Sequence, residues 1–199
     1  LRGALSFCTE AGRLGINGDL PLDFAARSVP ESVLDSLYTA VGHLVISWAF
    51  VDRALDFWIA IIFHDAGGKE IELQIPSAFD RKTKFLRRCF RRIETLSPFS
   101  EEALPYIEAA CGFSNTRHFV VHGTMSDYRP EGHIFTFVNL RPDKPKTMHQ
   151  LSQLHISAVQ LLEDGVQCSE LGGQMLDLGQ RLLETLVPEG QRGKIMSSF

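Results

Sequence analysis

Residues 41–63 read VGHLVISWAFVDRALDFWIAIIF, a run apolar enough to suggest a membrane segment. His43, Asp52, Arg53 and Asp56 interrupt it. Charged groups at that depth are costly in lipid, so the run is read as a buried helix of a protein outside the membrane. Working outward, Leu34, Leu37, Val41, Leu44, Val45, Trp48, Val51, Leu55, Trp58, Ile59 and Ile62 recur at steps of three and four, which predicts one helix over 30–63. Pro30 and Glu31 suit its first turn and Ser28 is a possible cap, while Asp65-Ala66-Gly67-Gly68 marks its end. Gly42 is expected to weaken the interior slightly and to admit another backbone.

Three further helices follow from the same periodicity. The second is expected over 77–96, with Phe79, Leu86, Cys89, Phe90, Ile93 and Leu96 as its stripe. The third starts at Ser100, a capping hydroxyl followed by Glu101 and Glu102, and runs to about residue 125. The last helix, or helix pair, is expected over 147–187, with Gly165 and Gly172-Gly173 as points of bending or division. Between the third and last helices, residues 133–140 (HIFTFVNL) read as a strand, with 124–128 as a partner if the third helix ends at Gly123. The expected fold is all-α: a bundle of four long helices with a small β-strand or β-hairpin insertion at 124–141. An irregular arm over 1–28, with a short helical turn around Phe24, precedes a single helical domain at 29–187. A flexible tail over 188–199 follows it.

The chain has 199 residues, 44% hydrophobic and 22% charged, a composition that excludes wholesale disorder. Cys8, Cys89, Cys111 and Cys168 form no CxxC or metal-knuckle pattern, and no secretory or lipidation signal is visible, so a reduced, cytoplasmic protein with buried thiols is expected. The net charge of -4 argues against a protein that coats nucleic acid. Yet Arg81, Lys82, Lys84, Arg87, Arg88, Arg91 and Arg92 follow one another with no acid among them. Two readings stand: local RNA phosphate binding by Arg81, Lys84, Arg87, Arg88, Arg91 and Arg92, or a solvated helix face.

The third helix carries Arg117-His118-Phe119-Val120-Val121-His122-Gly123. Arginine and histidine can break a phosphodiester without a metal, one holding negative charge and the other moving a proton near neutral pH. Glu108, Cys111, Asn115, His118 and His122 share one side of the helix, whereas Arg117 lies about 140° around it from His122. Asp52, inside the apolar first helix, wants a cation or donor and is expected to face this segment; Glu108 and Asn115 are further supporting candidates. The competing readings make His122 an ordinary helix histidine and pair Arg117 with Asp52, Asp56 or Glu108. His118 and His122 lack the ligands that would complete a metal site, and no phosphate loop, dinucleotide fingerprint or nucleophile elbow is present, so no metal or cofactor is expected. His149 and His155 are read as helix-surface or capping residues. Phe135 and Phe137 could stack bases, but ordinary packing is the preferred reading.

The run from Arg117 to Gly123 resembles the signature of the HEPN superfamily: an arginine, a polar residue, three further residues and a histidine, here followed by glycine. The sharp match covers those seven residues, and the helical architecture over 31–187 is similar as well. The resemblance implies a compact helical bundle and a metal-independent endoribonuclease whose cleft forms where two copies meet in a homodimer. It assigns Arg117 to the phosphate, His122 to general acid or base work and His118 to orientation. It also implies a toxin or phage-defence setting, with an antitoxin or regulatory protein as partner. Two readings compete with cleavage: a noncatalytic helical protein-interaction or regulatory module, and an RNA-binding module that does not cut.

Overall fold

The computed structural model describes residues 29–142 and 149–196. The arm expected over 1–28, with its turn near Phe24, the Ser28 cap and Cys8, lies outside the described residues. The order is α1 (Glu31–Asp65), α2 (Gly68–Ile71), α3 (Phe79–Arg92), a 3-10 helix (Glu94–Phe99), α4 (Ser100–His122), β1 (Thr124–Arg129), β2 (Ile134–Pro142), β3 (His149–Ser157), α5 (Ala158–Leu186) and α6 (Glu189–Met196). The fold is mostly helical, with one three-stranded antiparallel sheet in the order β1-β2-β3. No helix among the described residues is long and apolar enough to cross a membrane. Contacts divide the chain into two compact units, one of residues up to Gly42 with Asn115–Glu163, the other of His43–Ser114 with the residues from Asp164 onward. The boundaries fall within α1, α4 and α5.

In the second unit the apolar positions of α1 are deeply covered: Leu44, Val51, Leu55, Trp58, Ile59 and Ile62 are buried. So are Phe85, Leu86, Cys89 and Phe90 of α3, Ala103, Ile107 and Ala110 of α4, and Met175, Leu178 and Leu182 of α5. Trp58 is edge-on to Phe90 with ring centroids 5.7 Å apart, and its Nε1 donates to the Met175 carbonyl over 2.7 Å. That bond satisfies the polar atom a buried indole brings with it.

The seam between α1 and α5 is built on glycine. Gly165, Gly172 and Gly179 recur every seven residues, and each meets α1 at a point that also advances by seven: His43, Phe50 and Phe57. The two helices therefore run parallel with the register of a coiled-coil seam. A Cβ at Gly172 would lie 2.9 Å from Phe50 Cβ, and one at Gly179 would lie 2.7 Å from Phe57 Cδ1. Gly165 and Gly172 thus serve close approach rather than bending, and α5 is continuous through them. The approach expected at Gly42 is absent; a Cβ there would meet open space.

In the first unit the sheet is larger than the expected hairpin. Residues 149–157 form its third strand, whereas periodicity had assigned them to the last helix. The reason is pairing: Phe135 stands opposite Tyr128 and Ile156, and Phe137 opposite Met125 and Leu154, giving one apolar face across all three strands. Tyr128, Phe135, Phe137 and Ile156 are buried there, so these aromatics pack rather than present themselves to bases. A bulge between Met125 and Asp127 keeps Met125 and Tyr128 on that face. His155 lies in β3, not on a helix, and its Nδ1 shares a 2.9 Å hydrogen bond with Thr136 Oγ1. His149 opens the same strand.

Two other boundaries moved. The second predicted helix stops at Arg92, and its last predicted residues form the 3-10 helix. The tail expected to fray is helical as far as Met196. Arg192 fastens it by donating from Nε to the Val187 carbonyl (2.9 Å) and from Nη2 to the Glu184 carbonyl (2.7 Å), which supplies donors to the end of α5.

Candidate functional site

The arginine-histidine segment occupies the last turns of α4. His122 is the final helical residue, and Thr124 already belongs to β1. Gly123 makes this abrupt junction possible. Its N–H donates to the Phe119 carbonyl over 2.8 Å, and an added Cβ would sit 2.4 Å from that carbonyl and 3.0 Å from the Val138 carbonyl of β2. Both obstacles are backbone, so no side-chain rearrangement removes them.

His122 is exposed, and its ring lies 5.0 Å from that of His118, one turn earlier, at an interplanar angle of 51°. Asn115, on the same face, is exposed as well. Arg117 is half-buried, and its Nε is buried without a hydrogen-bond partner. It lies about 7.5 Å along the helix axis from His122 by the rise of an α-helix, so its long side chain must lean to share a cleft with the histidine.

The supporting acids are engaged elsewhere. Asp52 accepts from Lys82 Nζ at 2.8 Å, and Asp56 lies 2.7 Å from the same ammonium. Burial pulls the Lys82 amine down, but these two carboxylates more than reverse that and hold it above the usual range. Asp52 thus finds its cation on α3 rather than in the arginine-histidine segment, because Lys82 is the buried charge that needs compensation. Glu108 pairs with Arg87, 3.0 Å from its Nε; the angle misses hydrogen-bond geometry, so that nitrogen has a charge partner but no bond.

The basic run resolves into separate roles. Arg81, Lys84, Arg87, Arg88 and Arg91 line one open groove of about 630 Å³ together with Glu72, which lies just beyond α2. Lys82 is buried with Asp52 and Asp56, and Arg92 lines a different depression with Asp65 and Glu94. Glu72 accepts from Arg81 at 2.5 Å and also from Arg88. The Arg81 hydrogen bond, helped by Arg88, holds the Glu72 carboxyl below the usual carboxylate range against the opposing effect of burial. Lys84 pairs with Asp80 at 2.6 Å, and Arg87 Nη2 lies 3.1 Å from Cys111 Sγ. Arg91 has no ion pair among the described residues. Sequence reading missed Glu72; its signal was an acid in the apolar connector IELQIP, only nine positions before Arg81.

Comparison of the chain with family models, with curated proteins and with solved structures finds no match.

Proposed function

We propose that the protein is a metal-independent endoribonuclease with a HEPN-like bundle, acting as a homodimer. The carrying observation is the half-buried Arg117, whose Nε lacks a partner, five residues before an exposed His122 whose ring rests beside His118. An unpaired guanidinium N–H out of water is costly unless something accepts its hydrogen bond, and a phosphate oxygen is suited to accept from an arginine. Arg117 holds the scissile phosphate. One His122 takes the proton of the ribose 2'-hydroxyl, and that oxygen attacks phosphorus. The bond to the 5'-oxygen breaks as the second copy's His122 protonates it, leaving a 2',3'-cyclic phosphate and a 5'-hydroxyl. His118 orients His122. A toxin or phage-defence role, with an antitoxin or other regulatory partner in the cytoplasm, is the setting the family resemblance supports.

The test is cleavage of mixed RNAs in EDTA by the folded, dimeric chain, with product ends identified chemically. Losing a general acid or base costs about 10²–10⁴-fold in rate, so His122→Ala should abolish detectable cleavage while circular dichroism stays unchanged, and Arg117→Lys, which loses the fork on the phosphate, should cleave far more slowly. Equal cleavage by His122→Ala and the unaltered chain, or a folded chain that sediments only as a monomer, refutes the mechanism.

A further inference from the structure

We propose that the groove over α3 holds the phosphodiester backbone of single-stranded RNA, with Glu72 as a built-in counter-anion that incoming phosphates displace. That the strand is RNA rests on the function proposed above; the electrostatics rest on the groove itself. Five cations and one acid line it. Arg81, Lys84, Arg88 and Arg91 follow at steps of three, four and three, so they share one face of α3. They extend about 15 Å along the helix, the length of roughly four phosphates of a stacked strand.

Glu72 is shared by two guanidiniums, Arg81 and Arg88, so it neutralises only one of their two charges. The side chain is well covered, at 17% exposure, whereas Arg81 and Arg88 are about half exposed, at 54% and 43%. The acid therefore sits at the floor with the cations reaching outward. Such an arrangement keeps the guanidinium planes oriented before a ligand arrives, and phosphate oxygens can replace the carboxylate with the same fork geometry. Among the described residues Lys84 is tied to exposed Asp80, a pair that is easily released, and Arg91 has no ion pair.

The experiment is fluorescence anisotropy of a labelled twelve-nucleotide RNA in EDTA, on the full chain carrying His122→Ala so that the probe survives. Arg91→Glu and Arg92→Glu change the net charge equally, but only Arg91 lines the groove. Arg91→Glu should weaken binding about tenfold or more and lower the salt slope by about 0.7, while Arg92→Glu stays within about twofold of the parent. Glu72→Gln should tighten binding severalfold. Equal losses from the two arginine variants would reduce the effect to overall charge and overturn the proposal, as would weaker binding by a folded Glu72→Gln protein. Displacement of the RNA by tripolyphosphate at equal phosphate concentration would reassign the groove to a small polyphosphate. Because binding is the readout, Arg91-dependent affinity without cleavage by the unaltered chain would sink the nuclease reading and leave the groove standing.

Discussion

Gly172 and Gly173 are adjacent in α5, yet replacing each with alanine should change stability by clearly different amounts. Alanine is favoured over glycine inside a helix by about 0.8–1.0 kcal/mol, and both positions gain that term. At Gly173 an added Cβ meets nothing within 4 Å, so the gain stands alone. At Gly172 it comes 2.9 Å from Phe50 Cβ and 3.4 Å from both Phe50 C and Val51 N. None of those atoms is the movable end of a side chain, so the helices must separate, an overpacking cost of about 1–3 kcal/mol. The difference between the variants isolates that cost from helix propensity. At about 2–4 °C per kcal/mol for a chain of this size, a central value of ~2 kcal/mol separates the two melting temperatures by ~6 °C. Thermal and urea unfolding followed by circular dichroism would measure it, with Gly173→Ala above the parent and Gly172→Ala below Gly173→Ala. If both alanines stabilise equally, the close parallel seam between α1 and α5 is wrong.

Two other outcomes follow from buried and paired ionisable groups. Burial pushes the Cys89 and Cys168 thiols up to about 12, whereas Cys111 is partly exposed beside Arg87, so in a Cys8→Ser background a thiol reagent at neutral pH should label Cys111 alone until the protein unfolds. Labelling of Cys89 or Cys168 at a comparable rate, measured by peptide mass analysis, would contradict their burial. For Glu72 the folded carboxyl is depressed by Arg81 and Arg88, so its stabilising contribution is present above the unfolded value of about 4.3 and is lost as pH falls through the lower folded value. Glu72→Gln should therefore flatten the acid limb of a urea-midpoint profile, and an acid limb identical to the parent's would show that the two arginines do not hold the carboxylate.

The long helices were legible because their signal is local. Apolar residues at steps of three and four in α1 need no knowledge of what covers them, and the boundary at Gly67 and Gly68 is written in the chain. The third strand was not legible for the opposite reason. Leu151 and Leu154 imitate a helical step, and only their positions opposite Leu140 and Phe137 make 149–157 a strand. The glycines of α5 show the same limit: the residues were visible, but their partners on α1 lie more than a hundred positions earlier, so they were read as bends. At the candidate site, charge type was legible and assignment was not. The run over 81–92 announced a basic helix, but it took burial to send Lys82 to Asp52 and Asp56 and to set Arg92 apart from the groove. The partner of Asp52 was not legible because a lone acid in an apolar helix specifies that a cation is needed, not which one.

The end of α4 separates what the arginine-histidine segment does chemically from what it does for the fold. Gly123 carries no group that could touch a phosphate, but the Phe119 and Val138 carbonyls leave no room for a Cβ there. Any other residue at 123 forces the helix and β2 apart and shifts the frame that positions His122. Lost activity at that glycine therefore could not assign it a part in bond breaking. His122 is different: it is exposed, and among the described residues the His118 ring lies beside it, so its side chain can be removed with little disturbance to packing. Arg117 falls between them, since its half-buried stem contributes to packing and, in the proposed reaction, its guanidinium binds the phosphate. Replacement by lysine is the sharper probe there. It keeps the charge and an aliphatic stem but cannot reproduce a planar fork, so it distinguishes an arginine that grips a phosphate from one that merely fills space.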